Sequence, residues 1–245
     1  NTDYYFRPGL TWPRRSFTLR AAPVPKGCIF SHAGMMAFPL ENELYAMLGI
    51  FNSLAFDYLS RTKTSSGSGS SQFEVGIIQT NPLPKEEFLD SPLEGEVVAN
   101  SKVIQNFESI SEINSNFCIP FRKMNELRAI IEGADKYSQE ISKNITKYVR
   151  LQESIDKICY YLYDFSDNDI QQLLTMQLRP SGEMVITEGT FTSNLKDIYS
   201  SKLQLPVKSL KTEYLVKNII SYTLGAIFGR WDVRYATGER KPPEL

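Results

Sequence analysis

Between Phe121 and Tyr163 an apolar residue returns every seven positions: Leu127, Ala134, Ile141, Tyr148, Ile155 and Leu162. A second set, Ile130, Tyr137, Leu151 and Ile158, falls three residues after the first, with Asn144 the polar member of that slot. A seven-residue repeat held over about five heptads calls for one long helix with a coiled-coil-like seam. At 1.5 Å per residue the helix would span roughly 60 Å. Arg128, Glu132, Lys136, Glu140, Lys143, Lys147 and Arg150 lie off the seam and read as solvated faces. The stripe is therefore core or partner-helix packing, and no cofactor site.

The start of the chain has a different character. Tyr4 to Ser16 holds four aromatics, three arginines, two prolines and a glycine. Pro lacks the amide donor and Gly marks a turn, so a helix is excluded and an extended, turn-punctuated arm remains. Arginines that grip phosphate or read guanine edges, beside aromatics that stack or wedge, suit a nucleic-acid surface. The competing reading is a strand–turn–strand with core aromatics and solvated arginines.

Charge favours the first reading locally. The net charge is −1, yet residues 1–85 carry 8 Lys/Arg against 5 Asp/Glu, whereas 86–120 carry 1 against 7. A basic segment followed by an acidic connector fits a polyanion-facing module joined to something else. Cys28, Cys118 and Cys159 are odd in number and far apart, which points to a reducing cytoplasm and against a disulfide framework or zinc site. His32 is the single histidine and cannot build a metal cluster. With no nucleophile or carboxylate motif around it, it reads as structural or DNA-contacting rather than as a base. No apolar run reaches the ~18 residues of a membrane span. Asn1 opens the chain where a Met would be expected, so the sequence reads as a fragment of a longer protein.

Along the chain, Phe17–Ala21 alternates as a half-buried strand with Arg20 on its wet face, ended by Pro23 and Pro25. Gly27–Phe30 reads as a short strand, and residues 32–34 as a turn. Glu43–Ser60 reads as one amphipathic helix, with Asn52-Ser53 as weak points inside it. Lys63 stands at the mouth of a Ser/Gly stretch, residues 65–71, which is either a linker or a loop that orders on phosphate. Phe73–Gln79 reads as a strand stopped by Asn81-Pro82-Leu83-Pro84. Amino methyltransferases hold the target amine on an Asn/Asp-Pro-Pro-aromatic loop; Leu83 and the missing aromatic argue against that role for Asn81. Val97–Phe107 reads as helical. Ser166 and Asp169 form a capping box opening a new helix. Residues 179–191 read as a hairpin or loop, and Ser209–Phe228 as a helix ending in Gly225 and Gly229. Arg230–Tyr235 follows as a basic–aromatic tail. Phosphate loops, nucleophile elbows, metal spacings and a nuclease core are all missing from the sequence, so no catalytic site is legible.

Five segments carry a resemblance, in order: Tyr5-Phe6-Arg7-Pro8-Gly9-Leu10-Thr11-Trp12-Pro13-Arg14-Arg15; Met47–Ser53; Phe73–Gln79 with its Pro82-x-Pro84 stop; Ile155-Asp156-x-x-Cys159-Tyr160-x-Leu162-Tyr163; and Ser221-Tyr222-x-x-Gly225-x-x-Phe228-Gly229-Arg230-Trp231. Together they resemble the target-recognition region of large N6-adenine DNA methyltransferases, namely Type IIG restriction–modification methylases and the related BREX phage-defence methyltransferase. The resemblance implies double-stranded DNA as partner and a catalytic methyltransferase domain preceding Asn1 on the same polypeptide. That domain would carry S-adenosylmethionine and an Asn-Pro-Pro-Tyr motif, leaving no cofactor in this chain. The resemblance also implies other defence-system subunits as further partners, and a parent enzyme that is a methyltransferase with or without a nuclease.

The expected fold is α+β: a small mixed-sheet recognition lobe over 1–96, a helical spacer over 97–176, and a hairpin, helix and tail over 177–245. Arg7, Arg14, Arg15, Arg20 and Lys63 are the expected DNA contacts, with Trp12 stacking or wedging and Gln79 reading an adenine edge through its amide. The alternative is an interaction scaffold whose heptad helix binds a partner subunit.

Overall fold

The computed structural model describes residues 2–16, 18–31, 34–64, 71–84, 88–108 and 129–177, with Lys217, Ile220, Ser221, Leu224, Arg234 and Glu239. His32, the Ser/Gly stretch through residue 70, residues 109–128 with Cys118, the 179–191 hairpin, nearly all of the 209–228 helix, and the 230–235 tail except Arg234 lie outside them. The fold is α+β, mostly helix with a small sheet. The chain divides into two compact units, Asn1–Ala99 with Leu151–Lys202, and Asn100–Arg150 with Leu203–Leu245.

In the first unit, β1 (Gly9–Pro13) is the centre of a three-stranded sheet, between β3 (Ala22–Val24) and β4 (Gly34–Ala37). Leu10 pairs with Pro23 on one side and with Ala37 on the other. A two-residue strand β2 (Arg15–Ser16) pairs with β5 (Ser71–Gln72). All of these pairings are antiparallel, where a mixed sheet was expected. Pro23, read as a breaker, sits inside β3, which is tolerated because β3 is an edge strand. Gly9 is required by close approach: a Cβ there would lie 2.6 Å from the Ala37 carbonyl oxygen. Residues 28–30 form no strand, and Gly34 opens β4 instead of closing a turn.

The single helix expected over Glu43–Ser60 is two, α1 (Leu44–Asn52) and α2 (Leu54–Thr62), divided at an extended Ser53. Polar groups compensate the break. Ser53 Oγ donates to the Ile50 carbonyl at 2.7 Å and accepts from the Phe56 amide at 3.2 Å. The Asn52 side chain bonds both the amide and the carbonyl of Ala21, at 2.8 and 3.0 Å. These are the side chains that compete with a continuous helix.

Phe73–Gln79 is the other reversal. The chain is extended only through Glu74, and Val75–Gln79 is a short helix, α3. Phe73 is claimed on both sides, its amide donating to the Arg14 carbonyl at 2.8 Å and its own carbonyl accepting from Trp12. Beyond it no strand is paired, so the Ile77 and Ile78 amides turn back to the Glu74 carbonyl. A short β-branched run follows its hydrogen-bond partners, and periodicity alone does not separate the two outcomes.

α4 (Leu93–Glu108) and α5 (Ala129–Leu162) follow, then α6 (Asp167–Gln177). α5 realises the long heptad helix over its described length. Tyr148 and Ile155 are buried and Leu151, Ile158 and Leu162 half-buried, while Lys143, Lys147 and Arg150 are exposed. Within the first unit Ile155 and Cys159 join one core with Leu10, Trp12, Leu19, Ile50, Phe51, Phe56, Phe73 and Leu93. These turns of the seam thus pack on their own chain. α1 approaches α4 at Gly49, where a Cβ would meet Val97 Cγ2 at 2.5 Å. In the second unit Val103, Phe107 and Tyr148 are buried. Among the described residues, no helix is long and apolar enough to cross a membrane.

Candidate nucleic-acid interface

β1 delivers the arm to the core and leaves its flanks on the surface. Strand alternation points Leu10 and Trp12 inward. Trp12 is only 3% exposed, its ring lies edge-on to Phe51 at 5.9 Å, and its Nε1 donates to the Phe73 carbonyl at 2.8 Å. It therefore neither stacks on nor wedges into DNA. Its indole is a core anchor, with a buried partner for its one polar atom.

The arginines divide by location. Arg7 is exposed, with its guanidinium 5.4 Å from the Tyr4 ring centroid and 5.9 Å from that of Phe38. The two rings orient the cation without neutralising it. Arg14 donates through Nη2 to Glu74 Oε1 at 2.6 Å, with both side chains about half exposed. Arg15 is exposed on β2, opposite Gln72. Arg20 is half-buried, and its Nη2 donates to Ser16 Oγ at 3.1 Å. It does not occupy the wet face of a strand, because residues 18–21 form none. The Lys63 ammonium donates to the Thr80 carbonyl at 2.5 Å, at the C-terminal end of α3 where carbonyls lack helical partners.

A half-open groove of about 870 Å³ gathers several of these groups. Trp12, Met35, Met47 and Phe51 form apolar lining, and Arg14, Glu74 and Gln79 supply charged and polar groups. Tyr4 and Phe38, the rings beneath Arg7, line it as well. Of the seven expected DNA contacts, Trp12, Arg14 and Gln79 thus line one groove. Arg7 stands over its wall, Arg15 is next to Arg14, and Lys63 holds the residue after Gln79. Arg20 does not line the groove, and it bonds Ser16, which does not line it either.

Asn81 also lines the groove, and its surroundings decide its role. Its Nδ2 donates to Ser60 Oγ at 2.6 Å, while Ser60 spends its own proton on the Phe56 carbonyl at 2.7 Å. That assigns the amide orientation and leaves Oδ1 buried with no hydrogen-bond partner among the described residues. The next carbonyl, that of Pro82, accepts from the Tyr163 hydroxyl at 3.1 Å. Burial first, and then the neighbouring Cys159, push the Tyr163 hydroxyl far above its ordinary pKa, so it stays a donor. Asn81 Oδ1 is thus turned into the protein, and the Pro82 carbonyl is engaged by Tyr163 at the surface.

The contributions of Tyr4, Phe38 and Glu74 were not legible in the sequence. Glu74 was hidden by the strand reading of its segment, and Tyr4 and Phe38 meet through tertiary contact, with ring centroids 5.1 Å apart. Among the described residues no group of three or more His, Cys, Asp or Glu is placed to hold a metal ion. No protein-family model matches the chain, and no curated protein matches it either.

Proposed function

We propose that this chain is the DNA target-recognition and helical-spacer region of an N6-adenine-specific DNA methyltransferase of a restriction–modification or BREX-type phage-defence system. It holds double-stranded DNA for base flipping by a catalytic domain elsewhere on the polypeptide, where S-adenosylmethionine is bound. The observation that carries the reading is a groove lined by Arg14 and Gln79, with Arg7 held over its Tyr4 and Phe38 rings and exposed Arg15 next to Arg14 in the chain. Cations there would position the phosphates, and the Gln79 amide would meet a base edge. The ordered sequence resemblance supplies the enzyme class.

The test is binding of the 245-residue chain to duplex DNA over a salt series. Phosphate contacts release counterions, so log affinity should fall linearly with log salt, and Arg14→Glu with Arg15→Glu should lower the slope by about 2. A flat slope, or no binding at low salt, removes the reading.

A further inference from the structure

Among the described residues, Phe6 and Asp164 are the non-glycine positions with a positive φ. Aspartate tolerates that region; for a bulky aromatic such as Phe6, at φ 67°, it is a strained outlier. The surroundings hold it there from both sides. The Phe6 amide donates to the Cys28 carbonyl at 2.9 Å, and the Gly27 amide donates to the Phe6 carbonyl at 3.0 Å. Strain of this kind persists only where the structure over-determines it, and such sites cluster where function needs the geometry.

The geometry obtained is an aromatic ring in water. Phe6 is 58% exposed, whereas Trp12 is buried and Tyr5 packs edge-on against Phe30 at 5.1 Å. Two exposed cations lie beside Phe6 along the backbone. Arg7 follows it in the chain, fixed over Tyr4 and Phe38, and Lys26 precedes the Gly27 that is bonded to the Phe6 carbonyl. Exposed Ile29 follows Cys28, whose carbonyl accepts from the Phe6 amide. An apolar side chain inserted into a base step, with cations on the neighbouring phosphates, is how proteins unstack and kink a duplex.

We propose that Phe6 is a wedge that enters a base step of the bound duplex while Arg7 and Lys26 hold the flanking phosphates. The proposal rests on the DNA-recognition reading and goes beyond it, because it assigns the residue that deforms the duplex, a role the sequence suggested for Trp12. The positive charge beside Phe6 selects a polyanion as the occupant over a neutral protein surface.

The experiment compares two short duplexes of one sequence, one intact and one with a single-nucleotide gap, whose step is already unstacked. The wild-type chain should prefer the gapped duplex by about 10-fold, because part of the unstacking cost is removed, and should bend the intact one in an end-to-end energy-transfer measurement. Phe6→Ala should lose both the preference and the bend, so that the two duplexes are bound equally. Phe6→Gly, whose backbone suits the positive φ, should behave the same way and so separates a missing ring from a misfolded lobe. If the chain binds both duplexes equally, or Phe6→Ala keeps the preference, the wedge is overturned and DNA recognition stands. If neither duplex is bound at low salt, DNA recognition itself fails and takes the wedge with it. If Phe6→Ala instead abolishes self-association of the chain, the ring is a protein contact and the wedge is wrong.

Discussion

The carboxylate of Asp156 on α5 accepts a hydrogen bond from the Leu54 amide at 2.7 Å, joining positions 102 residues apart. Leu54 is the first residue of α2, just past the Ser53 break, where helix amides lack internal partners and a negative charge is favoured. Asp156→Ala strands that buried donor and should cost about 2 kcal/mol in urea unfolding. Asp156→Asn keeps an acceptor and should lose less. An unchanged midpoint for Asp156→Ala would show that the bond does not secure the divided helix.

Trp12 is expected to matter for folding and not for binding. Trp12→Phe removes the donor to the Phe73 carbonyl and should cost about 1–2 kcal/mol. DNA affinity should stay within about 2-fold, because the ring is buried in the wall of the groove and offers a base almost no surface. A large loss of affinity with unchanged stability would return Trp12 to the interface.

Glu74 is the anion 2.6 Å from Arg14. Glu74→Ala should tighten DNA binding by about 5-fold at low salt, and less as salt screens the charges. Stability should move by at most about 0.5 kcal/mol, because the pair is half exposed. Weaker binding in this variant would mean that Glu74 orients Arg14 productively instead of competing for it.

The Ser166–Asp169 capping box makes α6 sensitive to acid. Ser166 Oγ and the Ser166 amide donate to Asp169 Oδ2 at 2.6 and 2.9 Å, and the Asp169 amide donates back to Ser166 Oγ at 3.3 Å. The Ser166 hydroxyl first, and then its amide, hold the Asp169 carboxyl below its ordinary value of 3.8. A lowered pKa means that the stabilisation is complete above 3.8 and is lost as pH falls through that value to the folded-state one. Amide protection in the first turn of α6, corrected for intrinsic exchange, should drop across that window. Asp169→Asn should abolish the step; a step that survives would assign it to another group.

The elements legible in the sequence were those whose cause is local. The heptad pattern produced α5, because side chains three and four apart share a helix face whatever lies opposite. Ser166 and Asp169 produced the start of α6, because the groups that satisfy its free amides are three residues away. The extended course of Gly9–Ser16 followed from its prolines and glycine.

Tertiary structure decided the rest, wherever a backbone group found its partner far along the chain. Residues 43–60 carry one continuous helical stripe, yet they divide at Ser53, with Asp156 receiving the amide that opens α2. Phe73–Gln79 has strand composition, but once Phe73 is bound to Arg14 and Trp12 no further strand partner stands beside it among the described residues, and the chain closes on itself as α3. Trp12 and Phe6 lie six positions apart in one aromatic arm. Burial against Phe51 and Phe73 took the first into the core, and the clasp of Cys28 and Gly27 turned the second into water; neither contact leaves a mark on local composition.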